Sequence, residues 1–394
     1  MAPGRVSGPI CRTWASKGYR HTLAFSVAEK ILFGNTTTNT AQFWCGSARA
    51  DVREQKKRSL DRTRRRLLLA LAALAAGGAS GARPAWAQSQ EPGPLGRTLR
   101  SLGGWWDRLT REPDPSDTEA KDPTKYVAPA RPDPRSWSSG GITATWIGHC
   151  TFLINLEGTT ILTDPVFSEK VGVNFLGLAT IGVERFVPPA LPLDDLPPVD
   201  LVLVSHAHMD HYDIPTLRKL PRDVPMILAR DTTEFIEDLG FTNLQELDWG
   251  QSAEVKGVRI EALPVKHWGR RYPWDRDRGY NALLLTKEKR TLLFGGDTAR
   301  TDLLPGAVKD RRLDAVMLSI GAYNPYISNH ASPEQAWDMF HDMEARYLIP
   351  MHWRTFRLSQ EHPFEPYQRL AGAVNGSASR IALHAVGETW SLPS

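Results

Sequence analysis

Cysteine is nearly missing. Only Cys11, Cys45 and Cys150 occur in 394 residues, too few for a disulfide framework or a four-thiolate zinc site, so a hydrophobic core must hold the fold. No apolar run is long enough to give a mature bilayer-spanning helix, and no unit repeats at a fixed period. With 41 % hydrophobic and 23 % charged residues the balance is globular, which excludes disorder, collagen-like repeats and a multi-span membrane protein. Acidic residues are scarce at one end only: residues 1–87 carry 15 of the 48 Lys and Arg but 4 of the 44 Asp and Glu. The remainder holds 33 basic against 40 acidic residues, about −7. An acidic body argues against nucleic acid as a partner, because Lys and Arg on phosphate supply most of that affinity.

Composition divides the chain into four segments. Residues 1–61 read as an N-terminal extension upstream of the true start, and residues 62–87 as an export signal. In the latter, Thr63-Arg64-Arg65-Arg66 leads into an apolar run from Leu67 to Ala76, and Ala85-Trp86-Ala87 offers a cleavage site before Gln88. The arginine pair before Leu67-Leu68-Leu69 is similar to a twin-arginine signal, which exports folded proteins to the periplasm or its membrane. The alternative is an uncleaved amphipathic anchor; a chain without the signal would stay cytoplasmic. Residues 88–140, rich in Pro, Gly, Asp and Arg, read as a linker or surface wrap, and 141–394 as the folded domain.

Within that domain short β-like runs recur at Ile142–Ile147, Phe152–Leu156, Thr160–Thr163, Leu201–Val204, Met226–Ala229, Val258–Leu263, Ala282–Thr286, Thr291–Phe294, Ala315–Ile320, Tyr347–Pro350 and Ile381–His384. A helix is predicted over Pro333–Ala345, where Ser332 suits the N-cap, Pro333 the first turn and Gln335 a capping box. The pattern predicts an α/β domain of two packed sheets with helices outside.

The run Leu201–Val204 leads straight into Ser205-His206-Ala207-His208-Met209-Asp210-His211. Side chains two apart on extended chain point the same way, so His206 and His208 can grip one ion while Asp210 and His211 face a second. Imidazole and carboxylate suit Zn²⁺ first, with iron or manganese as alternatives. His267, Asp297 and His352 also follow apolar strand runs and supply further candidate ligands. Gly295 and Gly296 would let the backbone approach the ions while Asp297 bridges them.

The chain resembles the metallo-β-lactamase superfamily and, within it, the branch of phospholipases D that hydrolyse N-acyl-phosphatidylethanolamine. The resemblance rests on Gly148-His149, Thr163–Phe167, Ser205–His211, Glu246–Trp249, Lys266–Trp268, Gly295–Thr298, Ile320–Tyr323, His330 with Pro333-Glu334, and His352-Trp353 with Thr355-Phe356. It implies an αββα four-layer sandwich with two zinc ions at one edge. His206, His208 and His267 would hold one ion, Asp210, His211 and His352 the other, and Asp297 would bridge. It further implies that Asp210 orients the attacking hydroxide and that His330 contacts the substrate, as a phosphate contact or as proton donor to the leaving group. A helix-cap surface histidine is the alternative for His330.

The expected function is a binuclear zinc-dependent phosphodiesterase of phospholipase D type, acting on N-acyl-phosphatidylethanolamine or a related phospholipid. The alternatives are a lactonase or other hydrolase of the same fold, a nuclease, which the acidic body disfavours, and a non-catalytic lipid- or metal-binding envelope protein. Expected partners are a phospholipid or other phosphodiester substrate, a peripheral membrane contact and a second copy of the chain. Two segments keep open readings. Phe167–Pro198, unusually apolar for a connection, is either an acyl-chain or membrane-touching loop or a packed surface hairpin. The aromatic and basic stretch His267–Arg278 is either a phosphate contact or a solvated loop.

Overall fold

The computed structural model describes residue 128 and residues 131–393 apart from 176–178 and 375. The extension 1–61, the export signal 62–87 and nearly all of the linker 88–140 lie outside the described residues. In chain order the strands are β1 (Ile142–Gly148), β2 (Thr151–Leu156), β3 (Thr159–Thr163), β4 (Lys170–Phe175), β5 (Ala179–Glu184), β6 (Leu201–Leu203), β7 (Met226–Ala229) and β8 (Leu244–Leu247). There follow β9 (Ser252–Val255), β10 (Val258–Leu263), β11 (Ala282–Lys287), β12 (Arg290–Phe294), β13 (Ala315–Ser319), β14 (Tyr347–Met351) and β15 (Thr389–Ser391). The helices are α1 (Ile214–Leu217), α2 (Leu303–Val308), α3 (Pro333–Asp342) and α4 (Glu365–Ala373).

Two large sheets form, in the orders β15-β1-β2-β3-β6-β7-β8 and β14-β13-β12-β11-β10-β9, beside a two-stranded one, β4-β5. Each large sheet begins as an antiparallel meander, β1-β2-β3 or β9-β10-β11-β12, and continues as parallel strands, β3-β6-β7-β8 or β12-β13-β14. Alternate strands of a meander run the same way. Hence β1, β3 and β6 share one direction in the first sheet, as do β10, β12, β13 and β14 in the second, and their carboxyl ends collect at one edge of each.

One continuous core draws on both sheets and on α3 and α4, through Ala336, Trp337, Met339, Phe340 and Leu370. The central strands are buried on both faces: every residue of β1, β2, β6, β7 and β13 is buried. Their sequences are therefore continuous apolar or Thr-rich runs rather than alternating ones. Each fully buried Leu, Ile or Phe contributes about 1.5–3 kcal/mol, which anchors short strands such as β6 despite their length. The result is the expected αββα sandwich. Helix α3 starts with the predicted capping box: Gln335 N donates to Ser332 Oγ, and Ser332 N to Gln335 Oε1. Among the described residues no helix is long and apolar enough to cross a membrane.

One expectation changes: Ile381–His384 is not a strand; only Ile381 bridges, to Leu348 of β14. Of the two readings of Phe167–Pro198 the structure has the packed hairpin: β4 and β5 pair antiparallel, seated through Val171, Val166 and Phe356. The edge strands β8, β9 and β15 carry polar, part-exposed residues, and no apolar run announces them.

Candidate metal centre

Each carrier of the site follows one of the co-directed strands. β1 delivers His149, β3 Asp164, β6 the loop His206–His211, β10 His267, β12 Asp297 and β14 His352. His330 sits at the end of the loop that leaves β13, directly before α3. The seven sequence-predicted ligands and His330 are brought together, and His206, His211, His267, Asp297, His330 and His352 are buried.

Two donor sets result. In the first, His208 Nδ1 lies 2.8 Å from His206 Nε2 and 3.3 Å from His267 Nε2. In the second, Asp210 Oδ2 lies 3.4 Å from His211 Nε2 and 3.3 Å from His352 Nε2. One atom faces both sets: Asp297 Oδ2 is 3.9 and 3.8 Å from His206 and His267 Nε2, and 3.1 Å from the Nε2 of both His211 and His352. His330 Nδ1 stands 3.8 Å from the same oxygen.

Second contacts fix the tautomers of His206, His211 and His267 and orient Asp210 and Asp297. His267 Nδ1–H donates to Asn329 O at 3.0 Å, leaving Nε2 as its free lone pair. His211 Nδ1 donates to Asp164 Oδ2 at 2.6 Å, and Ser205 completes the clamp through N to Oδ1 and Oγ to Oδ2, both 2.7 Å. His206 Nδ1 lies 2.9 Å from the same Ser205 Oγ. Asp297 Oδ1 accepts from Ser319 Oγ at 2.7 Å, which turns Oδ2 toward the donors. His149 Nε2 donates to Asp210 Oδ2 at 2.9 Å. Such outer partners set orientation and basicity of metal ligands.

Gly295 and Gly296 serve a different approach from the one expected. A Cβ on Gly295 would lie 2.6 Å from Met317 O, and one on Gly296, whose φ is +55°, 2.9 Å from Ser205 Cβ and Asn281 O. The glycines thus press β12 against β13 and β6, and this brings Asp297 to His211.

Electrostatics divide the imidazoles. Burial depresses His206 well below the ordinary value, His208 to about 3 and His267 to about 4, leaving neutral lone-pair donors. Burial also works against charge on His211 and His352, but Asp297 and Asp210 outweigh it and hold His211 well above its usual value and His352 at about 9. Both carboxyls are correspondingly held far below their ordinary range by these imidazoles, against the pull of burial. A buried site in which two carboxylates keep protons on neighbouring imidazoles is one that a cation can occupy instead of those protons. The donor set, nitrogen and oxygen only, fits borderline divalent ions; Cys150, buried with its thiol pushed up by desolvation, stays a thiol.

Sequence reasoning did not single out Asp164, Ser205 or Ser319 as supports. Asp164 carried the same signal as Asp297, an aspartate directly after an apolar strand. Arg271 and Arg278 of the basic stretch are buried, and Arg276 is paired with Asp231 and Glu234. Neither side of the open reading of that stretch describes those two buried guanidiniums. His341, His362 and His384 are exposed.

Residues 159–353 match the family described as a beta-lactamase superfamily domain. Over 275 residues the chain is 31 % identical to N-acyl-phosphatidylethanolamine-hydrolyzing phospholipase D 1 of Caenorhabditis elegans, covering 65 % of this chain and 76 % of that one. It is 32 % identical over 241 residues to the mitochondrial enzyme of the same description from Saccharomyces cerevisiae, 57 % of this chain and 50 % of that one. A possible metal-dependent hydrolase from Veillonella parvula superposes with TM-score 0.52 at 20 % identity, over 64 % of this chain and all of that one.

Proposed function

Since this chain belongs to the metallo-β-lactamase superfamily and is a metal-dependent hydrolase, we propose that it is a binuclear zinc phosphodiesterase of phospholipase D type whose substrate is N-acyl-phosphatidylethanolamine or a related phospholipid. The observation that carries the binuclear reading is Asp297 Oδ2, one carboxylate oxygen turned toward both donor sets. The two phospholipase D relatives support the substrate class.

His206, His208 and His267 would hold one ion, Asp210, His211 and His352 the other, with Asp297 shared. When bound, such ions supply Lewis acidity toward a phosphoryl oxygen and lower the pKa of a water. Asp210, kept ionised, accepts a hydrogen bond from the attacking water and orients its oxygen toward phosphorus. That oxygen bonds to phosphorus as the water gives up a proton, the bond from phosphorus to the oxygen of the N-acylated ethanolamine breaks, and the departing oxygen takes a proton, leaving phosphatidic acid and the free alcohol. His330, beside Asp297, either donates that proton or hydrogen-bonds a phosphoryl oxygen. The Trp268 ring, centred 4.6 and 4.3 Å from those of His208 and His267, walls the first donor set against solvent.

The test is metal analysis followed by a hydrolysis panel of N-acyl-phosphatidylethanolamine, bis-p-nitrophenyl phosphate and a lactone, with product identification. Close to two zinc ions per chain and release of phosphatidic acid are expected. Turnover of the lactone alone would reassign the enzyme as a lactonase, and a metal-free protein that binds liposomes without turnover would make it a binding module.

A further inference from the structure

Arg271 is 8 % exposed, yet among the described residues no carboxylate pairs with its guanidinium. Burying an unpaired cation is costly, and an apolar side chain of similar volume would fill the space at less expense. Its contacts are specific. Nη1 donates to Ala207 O at 2.8 Å and to Tyr212 O at 2.9 Å. The guanidinium carbon stands 5.7, 5.4 and 5.9 Å from the ring centroids of Tyr212, Phe235 and Tyr272, an aromatic cage that offsets part of the lost hydration. Asp275 fixes the base of the side chain by accepting from Arg271 N at 3.2 Å.

The two carbonyls mark the ends of the donor loop. Ala207 lies between His206 and His208, and Tyr212 follows His211, so one nitrogen spans a segment that carries three of the seven candidate ligands, His208, Asp210 and His211, and is bonded at the residue next to the fourth, His206. Arg271 itself stands four residues after His267, the remaining member of the first set. A single side chain thereby ties the loop that holds His267 to the loop that holds His206, His208, Asp210 and His211. We propose that Arg271 is a positioning residue that holds these two loops in register for metal binding. The inference rests on the binuclear reading of the site.

Arg278 supplies the control. It is 3 % exposed, lies over the Phe235 ring and bonds to Asp275, Glu234 and Asp231 O, and among the described residues it makes no hydrogen bond to the donor loop. The experiment titrates Co²⁺ into ion-free full-length protein, wild type, Arg271→Met, Arg271→Lys and Arg278→Met, against a competing chelator at fixed pH. It reads affinity, the ligand-field spectrum, and the melting temperature of each ion-free form. Arg271→Met should weaken Co²⁺ binding about 10–100-fold and shift the spectrum, the range for loss of an outer contact to metal ligands. Arg271→Lys, which keeps charge and donors, should fall between. Arg278→Met should lose melting temperature with affinity and spectrum unchanged. Wild-type affinity in Arg271→Met, or equal weakening in Arg278→Met, would overturn the proposal while leaving the metal centre standing; no Co²⁺ binding by wild type would overturn both. Should Arg271→Met not fold, Arg271→Lys decides: weakened binding beside an unchanged Arg278→Met supports the role, and equality refutes it.

Discussion

Replacing Asp164 by Asn tests whether the centre depends on a carboxylate that faces the back of His211 rather than either donor set. Asp164 is fully buried and accepts three hydrogen bonds: Ser205 N on Oδ1, and Ser205 Oγ and His211 Nδ1 on Oδ2. An amide can accept on one side only. Its oxygen must stay with the Ser205 backbone N–H, a donor that cannot turn, so its NH₂ replaces Oδ2 and faces two former donors. The Ser205 hydroxyl can rotate. The ring of His211 cannot, and its Nδ1 can meet the amide only by giving up its proton to Nε2. Nε2 is the atom 3.1 Å from Asp297 Oδ2, where the second ion is expected to bind. A protonated Nε2 is no ligand. Loss of such an outer partner costs about 10–100-fold in metal affinity, or about 1.4–2.8 kcal/mol, and the buried donor left unmatched costs about 1–3 kcal/mol of stability. Titration of Asp164→Asn with Zn²⁺ should therefore show one site near wild type and one weakened, with a lower melting temperature. Ser205→Ala, which leaves the Asp164–His211 contact in place, should lose less. Two wild-type affinities in Asp164→Asn would refute the tautomer argument.

His330→Ala should keep both ions and lower kcat, by about 10²–10⁴-fold on the lipid if His330 is the proton donor. A p-nitrophenyl ester, whose leaving group needs no proton, should then lose far less; equal loss on both substrates identifies a phosphate contact. Glu246 accepts from the N–H groups of Asp231, Thr232 and Thr233, and these bonds hold its carboxyl below the usual range although burial pulls the other way. Its contribution, about 1 kcal/mol for a capping carboxylate, is present above the unfolded-state value near 4.5 and lost as pH falls through the lower folded value. The melting-temperature gap between wild type and Glu246→Gln should therefore close on acidification below that value. If the export reading is right, N-terminal sequencing of native protein should begin at Gln88, and material that retains residues 1–55 would refute it.

The candidate site was more legible than its supports. A ligand at the end of an apolar strand leaves a local mark, hydrophobic run then His or Asp, and His206, His267, Asp297 and His352 all carry it. Asp164 carries the same mark, but nothing in one sequence separates a carboxylate that faces an ion from one that faces the back of a histidine. Whether it does so depends on β3 pairing with β6, a contact forty residues apart that places Asp164 against Ser205 and His211. Arg271 was harder still. Arg270 and Arg271 are neighbours of one residue type, yet the first is exposed and the second buried, because Phe235 and Tyr212, set by distant elements, close around only one of them. Edge strands failed for the opposite reason: β9, Ser252–Val255, buries too little to write a hydrophobic pattern.

Strand direction explains why the local mark was reliable. β2 and β11 run opposite to the ligand-bearing strands and end in the turns at Glu157-Gly158 and Glu288-Lys289, both with positive φ at Glu. Neither turn contributes to the centre, although β2 and β11 are as apolar as β6 and β12. Every donor instead follows a strand of the other sense. An apolar run followed by a metal-ligating residue is therefore informative only when the run ends at the shared edge, and sequence cannot tell which edge that is for one run alone. It becomes decidable in combination: β6 places four candidate donors at one edge, and β1 and β3, which run in its direction, end at that same edge. That constraint admits His149 after β1 and Asp164 after β3, and it excludes the end of β2.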